Sequence, residues 1–277
     1  MELRHKYDLS ILLKCLKMPR SSFYYYVKQI GRVDKYQEVK KMIQDFYHSH
    51  KGRVGYRRMK LLLANNGYII NHKTVFRLMG ILKIRSIIRT KKYNSYKGEQ
   101  GRIAPNILNR NFKAERPNEK WATDVTEFKV SGRKLYLSPV IDLYNQEIIS
   151  YELSESPNFK SILNMLEKAF KKVCVRQPLV LHSDQGWQYQ MKQYQHALAI
   201  KGITQSMSRK GNCLDNAIIE NFFGIIKSEL FYINKFNSIE HLKREIEDYI
   251  KYYNKERIKL NLNGMSPIQY RAHFYPN

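Results

Sequence analysis

Three acidic residues are the first candidates for chemistry, because each is predicted to lie where a strand ends or on one face of a helix. Asp184 follows the apolar run 179–181, which predicts a buried strand that delivers a carboxylate at its C-terminal end. Asp124 lies in the strand-like run 121–128. Glu220 lies on a predicted helix, on the face opposite the apolar residues. A strand-end Asp and a helix Glu can therefore point into one cleft, where Asp124 is available as a third acid.

These three acids form an oxygen-only set of ligands. Such a set suits the hard, octahedral cations Mg²⁺ and Mn²⁺ and not zinc. Carboxylates that bind two such ions commonly promote phosphodiester displacement, in which one ion activates the attacking oxygen and the other stabilises the leaving one. Cys15, Cys174 and Cys213 lie far apart and form no CxxC pair, so neither a zinc site nor a disulfide framework is expected.

The sequence around the acids resembles a known family. The segments 121–126, 182–186 and 215–227 carry the three acids in order, and 35 residues separate the second acid from the third. This pattern is similar to the DDE triad of the retroviral-integrase superfamily. The sequence motifs around the acids more closely resemble those of bacterial insertion-sequence transposases of the IS-three family, specifically the product of the second reading frame. This resemblance extends over nearly the whole chain.

The resemblance implies a DDE transposase, a Mg-dependent polynucleotidyl transferase. Asp124, Asp184 and Glu220 would be catalytic and would hold two Mg²⁺ (or Mn²⁺) ions. Water would cleave at the end of the element, and the freed 3′-hydroxyl would attack another phosphodiester without a covalent protein–DNA intermediate. The implied partners are double-stranded DNA (element ends and target) and further copies of the chain, because joining two ends requires at least two protomers in the family. The family also often uses a fusion with the product of the upstream frame.

The charge of the chain agrees with a polyanionic partner. The 277 residues carry a formal net charge of +25, and residues 1–114 hold 26 Lys and Arg against 6 Asp and Glu. This asymmetry favours nucleic acid over a membrane surface. No apolar run reaches membrane-spanning length and no signal peptide is visible, so the chain is expected to act in the cytoplasm, on the nucleoid.

Four segments are expected along the chain. Leucines at helical spacing predict an N-terminal helical hairpin at 1–30, and a helix-turn-helix-like DNA-binding region that the family resemblance supports follows at 31–92. A flexible basic linker is expected at 93–114, where the apolar pattern fades. An integrase-type catalytic core with a C-terminal helix and tail should fill 115–277.

The fold class expected for the core is α/β. The patterns predict strands at 120–129, 134–142 and 147–151, then a helix, the Asp184 strand, a helix across 188–201, a short strand and two more helices. The pattern permits, and the resemblance implies, a ribonuclease-H-like (retroviral integrase) core with a mixed five-stranded sheet. Small all-α helix-turn-helix-like modules would precede it. Asp142 also ends a strand, but we interpret it as structural because it is outside the triad.

Nine residues are predicted to contact DNA. Lys227 lies two turns after Glu220 on the same helix face, where the family has a basic residue that contacts DNA ends. The others are basic residues of the helix-turn-helix-like region, two of which lie where it meets the linker, one loop lysine, and a histidine beside Asp184. The full set is Lys227, Arg57, Arg58, Lys73, Arg77, Lys91, Lys92, His182 and Lys210. A packed side chain is the alternative for His182, and a solvated surface is the alternative for Lys227 and the linker.

Two other functions remain open at this stage. A non-catalytic DNA-binding regulator would keep the fold, but the intact triad counts against it. A ribonuclease-H-like nuclease would use the same metals without joining strands, but the basic N-terminal third counts against it. The 21 tyrosines do not indicate a tyrosine recombinase, since no Arg/His constellation surrounds one of them.

Overall fold

The computed structural model describes residues 5–29, 34–87, 104–172, 177–209 and 213–276. The predicted DNA contacts at Lys91, Lys92 and Lys210 lie outside these ranges, as does Cys174. Half of the predicted linker, residues 93–103, lies outside them as well. None of the helices in the described ranges is long and apolar enough to cross a lipid bilayer.

The N-terminal part consists of five helices. They are α1 (Leu9–Cys15), α2 (Arg20–Gln29), α3 (Gln37–Ser49), α4 (Tyr56–Asn65) and α5 (His72–Ile81). The last three surround their own core, because each presents apolar residues at helical spacing. Its buried members include Val39, Ile43, Met59, Leu63, Val75 and Leu78. Ile258, from the far end of the chain, is buried in the same cluster, so the helical unit also packs against the C-terminal segment.

The C-terminal part is built on one mixed sheet. Its strands are β1 (Lys120–Thr123), β2 (Thr126–Val130), β3 (Arg133–Asp142), β4 (Ile148–Ser154), β5 (Leu179–Ser183) and β6 (Ile203–Met207). Both β1 and β2 pair antiparallel with β3 in a single register, since Thr123 lies opposite Val140 and Thr126 opposite Leu137. They are one strand interrupted at residues 124–125, so the lateral order is β4, β3, β1/β2, β5, β6.

This order agrees with the expected five-stranded mixed sheet. The interrupted strand, β5 and β6 run parallel, while β3 is antiparallel to its neighbours. The strand predicted at 120–129 is therefore present, but it breaks at the residue predicted to be catalytic.

Helices cover both faces of the sheet. They are α6 (Phe159–Lys172), α7 (Lys192–Ile200), α8 (Ala217–Ile226) and α9 (Ile239–Lys255), and a further helix, α10 (Pro267–Phe274), packs on α9. Alternate strand residues enter different cores, as the pleat requires. Ala122 and Ile141 join the core under α8 and α9, whereas Trp121 and Val140 join the core under α6 and α7.

Three expectations need correction. The helix predicted across 188–201 is divided into a 3-10 turn at Trp187–Gln190 and α7. The helix that carries Glu220 ends at Ile226 and continues as a wider π turn, Lys227–Phe231. The described end of the predicted flexible linker packs on the core, because its apolar Leu108 is buried there.

Candidate active site

Asp124 and Asp184 lie side by side because of the strand register. β1 and β5 are adjacent and parallel, with Trp121 opposite Leu181 and Ala122 opposite His182. The same offset carried two residues further sets Asp124 opposite Asp184, at the carboxyl ends of both strands. Neighbouring strands lie about 4.8 Å apart, so the two acids occupy adjacent positions at one edge of the sheet.

A short local turn orients each carboxylate. Oδ1 of Asp124 accepts a hydrogen bond from the Val125 backbone N–H at 2.7 Å, at the strand break. Oδ1 of Asp184 accepts one from the Gly186 N–H at 2.9 Å. A Cβ atom at Gly186 would lie 2.9 Å from that same oxygen and 2.6 Å from Nε2 of Gln188. A side chain at this position would therefore push the Asp184 carboxylate or the Gln188 amide away from where it lies.

Glu220 comes from the first turn of α8. The helix buries Ile219, Phe222 and Phe223 in the core, which leaves Glu220 half-buried on another face. Asn216 occupies the N-cap position without a side-chain capping bond. Lys227 ends the helix, and its ammonium lies 5.6 Å from the centre of the Phe128 ring.

The three carboxylates repel one another. Burial raises the pKa of Asp124 well above the usual value, and the charges of Asp184 and Glu220 raise it further. Burial also raises the pKa of Asp184, and burial together with the charge of Asp184 raises that of Glu220. The Lys227 ammonium acts in the opposite direction on Asp124. The site therefore gathers more negative charge than its side chains neutralise.

This surplus of negative charge fits a divalent cation. The donors are all carboxylate oxygens, which suit Mg²⁺ or Mn²⁺. Within the described ranges, no three His, Cys, Asp or Glu side chains converge closely enough to enclose an ion. The residues present therefore supply ligands and charge of the kind that such an ion requires.

Asp215 anchors the start of the helix that carries Glu220. Its buried carboxylate accepts both Nε and Nη2 of Arg209 at 2.9 Å, Nε of Arg110 at 3.0 Å and the side-chain amide of Asn106 at 2.9 Å. The side-chain hydrogen bond from Arg209 keeps the pKa of Asp215 far below the usual value, even though burial opposes this. The sequence indicated only a possible helix cap here, because two of the three residues that bond to Asp215, Asn106 and Arg110, lie more than one hundred positions away, in the supposed linker.

We expect Asp215→Asn to slow the predicted DNA cleavage about 10–100-fold, the usual effect of removing a group that orients a metal ligand, which is the role predicted for Glu220. The amide cannot hold both arginines, so the start of α8 loosens and Glu220 is positioned less well. Cleavage should recover partly as Mn²⁺ is raised, which a loss of folding would not allow. Asp248→Asn, which removes an exposed charge paired with Lys251 at 3.0 Å, is the matched control. Equal rates for both variants would contradict this role.

The structure corrects two predicted DNA contacts. His182 is 0% exposed, and its Nδ1 lies 2.8 Å from the Ser206 hydroxyl, so it is a packed residue. Arg58 donates to a Glu229 carboxylate oxygen at 3.0 Å and to the backbone carbonyl of Arg53. Its guanidinium is therefore committed to an internal ion pair.

The other predicted contacts in the helical unit are at the surface. Arg57 is exposed at the start of α4, 5.5 Å from the centre of the Tyr56 ring. Lys73 and Arg77 are exposed on α5. Asp142 is fully buried and accepts backbone N–H groups of Asn118 and Tyr144 at 2.8 and 2.9 Å. It therefore holds a turn and takes no part in the carboxylate group.

Three family models match the chain. Two describe an integrase core domain and match residues 114–213 and 220–274, and the third describes an HTH-like domain and matches residues 35–92. The matched segments include the three carboxylates and helices α3 to α5.

Curated relatives match over nearly the full length. The chain is 57% identical over 274 residues to InsK of Escherichia coli (strain K12), named as a transposase for insertion sequence element IS150, covering 99% of this chain and 97% of that protein. It is 34% identical to the transposase for IS904 of Lactococcus lactis, covering 83% and 92% of the two chains. It is 29% identical to transposase InsF for IS3A of E. coli, covering 96% of each.

Solved structures show a weaker likeness. The catalytic core domain of HTLV-2 integrase in complex with magnesium is 20% identical, with a TM-score of 0.46, and the match covers 56% of this chain and 97% of that one.

Proposed function

This chain belongs to the transposases of insertion sequences that carry an integrase core domain, the IS-three family, and we propose that Asp124, Asp184 and Glu220 carry its catalysis. It is a DNA transposase and a polynucleotidyl transferase. The observation that carries the assignment is the parallel register that sets Asp124 opposite Asp184, with Glu220 near enough for its charge to act on Asp124 and for the charge of Asp184 to act on it.

Each carboxylate has a role in the proposed site. Asp124 and Asp184 would bind the metal ions from the two strand ends. Glu220, on α8, would complete the set of three carboxylate ligands. Two Mg²⁺ or Mn²⁺ ions held by these residues would supply charge stabilisation for the attacking and leaving oxygens of the displacement. Attack by water frees a 3′-hydroxyl, and attack by that hydroxyl joins the strand to a second phosphodiester. No Ser or Tyr nucleophile is needed, because neither step passes through a protein–DNA bond.

Lys227 is proposed to contact the phosphate that reacts or one beside it. Its ammonium is half-buried, and burial lowers its pKa, while the charges of Asp124 and Glu127 raise it. A cation beside the carboxylates can bind a phosphate oxygen without displacing any of the three acids.

We propose that helix α5 recognises the DNA sequence. We propose that residues 31–92 form the DNA-binding region, between a hairpin at 1–30 and a linker at 93–114, and that 115–277 is the catalytic core. The α5 helix begins at Asn71, whose side chain accepts the Lys73 N–H at 2.9 Å. It buries Val75 and Leu78 and exposes Lys73, Phe76 and Arg77. An exposed basic helix face of this kind suits the major groove.

Replacing Lys73 and Arg77 singly by Ala should each weaken binding of the element end about 5–50-fold. A contact to a phosphate would lower the salt dependence of binding by about one unit of slope, whereas a contact to a base would relax sequence preference instead. Fluorescence-anisotropy titrations from 50 to 200 mM salt, with specific and scrambled duplexes, distinguish the two kinds of contact. Lys41→Ala, at an exposed position on α3, is the control. An equal loss of DNA affinity in this variant would contradict the proposal that α5 reads the DNA sequence.

Further partners follow from the reaction. We propose that at least two copies of the chain assemble on DNA, because two ends must be joined to a target. The product of the upstream frame is a candidate fusion partner, and the site of action is proposed to be nucleoid DNA in the cytoplasm.

The test of the proposal is processing of a labelled duplex that carries the end of the element encoding this chain. Cleavage followed by joining, with Mg²⁺ or Mn²⁺ but not in EDTA, is expected. Cleavage without joining would instead indicate a nuclease. Binding without either reaction, also after the upstream product is supplied, would indicate a regulator.

A further inference from the structure

An open cavity of about 520 Å³ lies where the helical unit meets the catalytic core. We call it the junction cavity. Its walls come from the start of α4, from one face of α8 and from the segment 257–261. It does not include the three carboxylates. The side chains that matter below are Arg57, Arg58, Ser86, Asn221, Arg257 and Lys259.

The junction cavity is lined by more positive charge than nearby acids neutralise. Glu229 pairs with both Arg58 and Arg257, at 3.0 and 2.7 Å. Lys259 is buried and donates only to neutral groups, the Tyr253 hydroxyl and the Gln146 side-chain oxygen, both at 2.6 Å. Burial lowers its pKa well below the usual value, and the charge of Arg257 lowers it further. Two arginines thus share one carboxylate, and the buried Lys259 beside them has no acidic partner among the described residues, an arrangement that an anion would stabilise.

Neutral donors point to the same conclusion. The ten-residue helix α4 starts at the wall of the cavity, with Gly55 at its N-cap, no side-chain capping bond and no acidic residue in its first turn. The positive end of a helix dipole and its free N–H groups favour an anion. The Ser86 hydroxyl is also on the wall, is buried and has no hydrogen-bond partner in the described ranges. Arg57 lies exposed at the rim.

We propose that the junction cavity binds one phosphodiester group of a DNA strand. The chemistry is that of an oxyanion held by cations, N–H groups and a hydroxyl, and naming DNA as its source rests on the proposed function. The location connects this contact to the carboxylate group through one helix. Ile218, Asn221 and Ile225 of α8 line the cavity, and Glu220 of the same helix faces the other carboxylates. A phosphate held there would fix the strand relative to both α4 and the helix of Glu220.

The first test combines a protein variant with modified DNA. Asn221→Asp places a carboxylate in the cavity to compete with the phosphate. Binding is measured in EDTA, to a duplex with the element end and to duplexes in which single phosphates are replaced by neutral methylphosphonates. For wild type, one methylphosphonate position should weaken binding about 5–10-fold. Asn221→Asp should weaken binding of the unmodified duplex by a similar factor. Its binding should then not weaken further when the methylphosphonate is at that one position.

Two further variants separate the roles of charge and position. Arg57→Gln should weaken binding at the same phosphate. Gln193→Asp makes the same change of net charge as Asn221→Asp but at an exposed position on α7, and it should keep full sensitivity to the methylphosphonate. Without DNA, Asn221→Asp should melt at the wild-type temperature or higher, because its carboxylate meets unneutralised cations. A lower melting temperature would overturn the charge argument.

The remaining outcomes are decisive as well. If the effects of Asn221→Asp and of every methylphosphonate simply multiply, the cavity holds no DNA phosphate. If inorganic phosphate at constant ionic strength raises the melting temperature of wild type but not of Asn221→Asp, and no position shows coupling, the cavity takes a free anion and the assignment to DNA is overturned. Coupling without cleavage in Mg²⁺ would contradict the proposed function alone, whereas cleavage without coupling would contradict this inference alone.

Discussion

Asp124→Asn should reduce DNA cleavage and strand joining about 10³-fold or more while leaving binding of the element end unchanged. The amide keeps the shape of the side chain and can still accept the Val125 N–H bond, but it removes one anionic oxygen ligand from the strand-end pair. Rates measured under single-turnover conditions in Mg²⁺ and Mn²⁺, beside anisotropy titrations in EDTA, separate chemistry from binding. Asp45→Asn, at an exposed position on α3, is the isosteric control. Retained activity would place the catalytic carboxylates elsewhere.

The same variant should be more stable than wild type when no metal is present. Burial and the charge of Asp184 hold the pKa of Asp124 above its usual value of 3.8. A carboxyl whose pKa is higher in the folded than in the unfolded state destabilises the fold above its unfolded pKa. The gain is therefore present at pH 7 and disappears as the pH falls towards 4. A gain of about 1 kcal/mol, or roughly 2–4 °C in melting temperature, is the expected size.

Saturating Mg²⁺ provides the counter-test of that stability difference. Wild type should gain melting temperature on adding the ion, because the ion neutralises the carboxylates, and Asp124→Asn should gain little. A variant that melts below wild type in EDTA would contradict the surplus of negative charge at the carboxylates. In that case the losses of activity would have to be re-examined for loss of folding.

Glu229→Ala should cost about 3–5 kcal/mol of stability, the usual loss when one member of a buried ion pair is removed. Glu229 is 1% exposed. Its oxygens accept Nη2 and Nε of Arg257 at 2.7 and 2.9 Å, Nη2 of Arg58 at 3.0 Å and the Tyr249 hydroxyl at 2.9 Å. Burial alone would raise the pKa of this carboxyl, but the hydrogen bonds and charges of the two arginines outweigh it and lower the pKa. Removing the carboxylate leaves two cations facing each other.

The position of Glu229 makes the loss more than local. It lies in the π turn that follows α8, and its backbone carbonyl accepts Nε of Arg53 at 3.0 Å. Arg53 and Arg58 belong to the helical unit, Arg257 follows α9, and the Arg53 guanidinium lies 5.1 Å from the ring centres of both Tyr249 and Tyr252. We therefore expect the helical unit to loosen from the core, with proteolysis between them, before the core itself melts.

Thermal and urea unfolding of three variants measure this effect. Glu229→Gln keeps the shape and some acceptors, so its loss should be smaller than that of Glu229→Ala. Glu155→Ala removes a carboxylate from the exposed pairs with Lys243 and Arg133 and should hardly change the unfolding midpoint. A midpoint for Glu229→Ala close to that of wild type would show that the arginines find other partners.

Local patterns were sufficient for much of the fold. The apolar run 179–181 predicted β5, and the patterns after it predicted a short strand, β6, and helices that include α9, because the order of apolar residues determines which face of an element is buried. The order and spacing of the three acids, with the words around them, identified the family. The mixed five-stranded sheet followed from that resemblance, since the pattern alone only permitted it. The roles of the three acids remain predictions for the measurements above.

The tertiary structure decided what depends on distant partners. Arg58 was expected to meet DNA but pairs with Glu229, 171 positions away, and no local pattern records such a contact. His182 follows Leu181 in β5, and only the pairing of β5 between β1 and β6 shows that its ring is enclosed. Asp124 and Asp184 are neighbours because of a parallel register, which is set by packing on both faces of the sheet. Sequence period determines which face of an element is buried, whereas the side chains that meet there depend on how the elements are arranged in space.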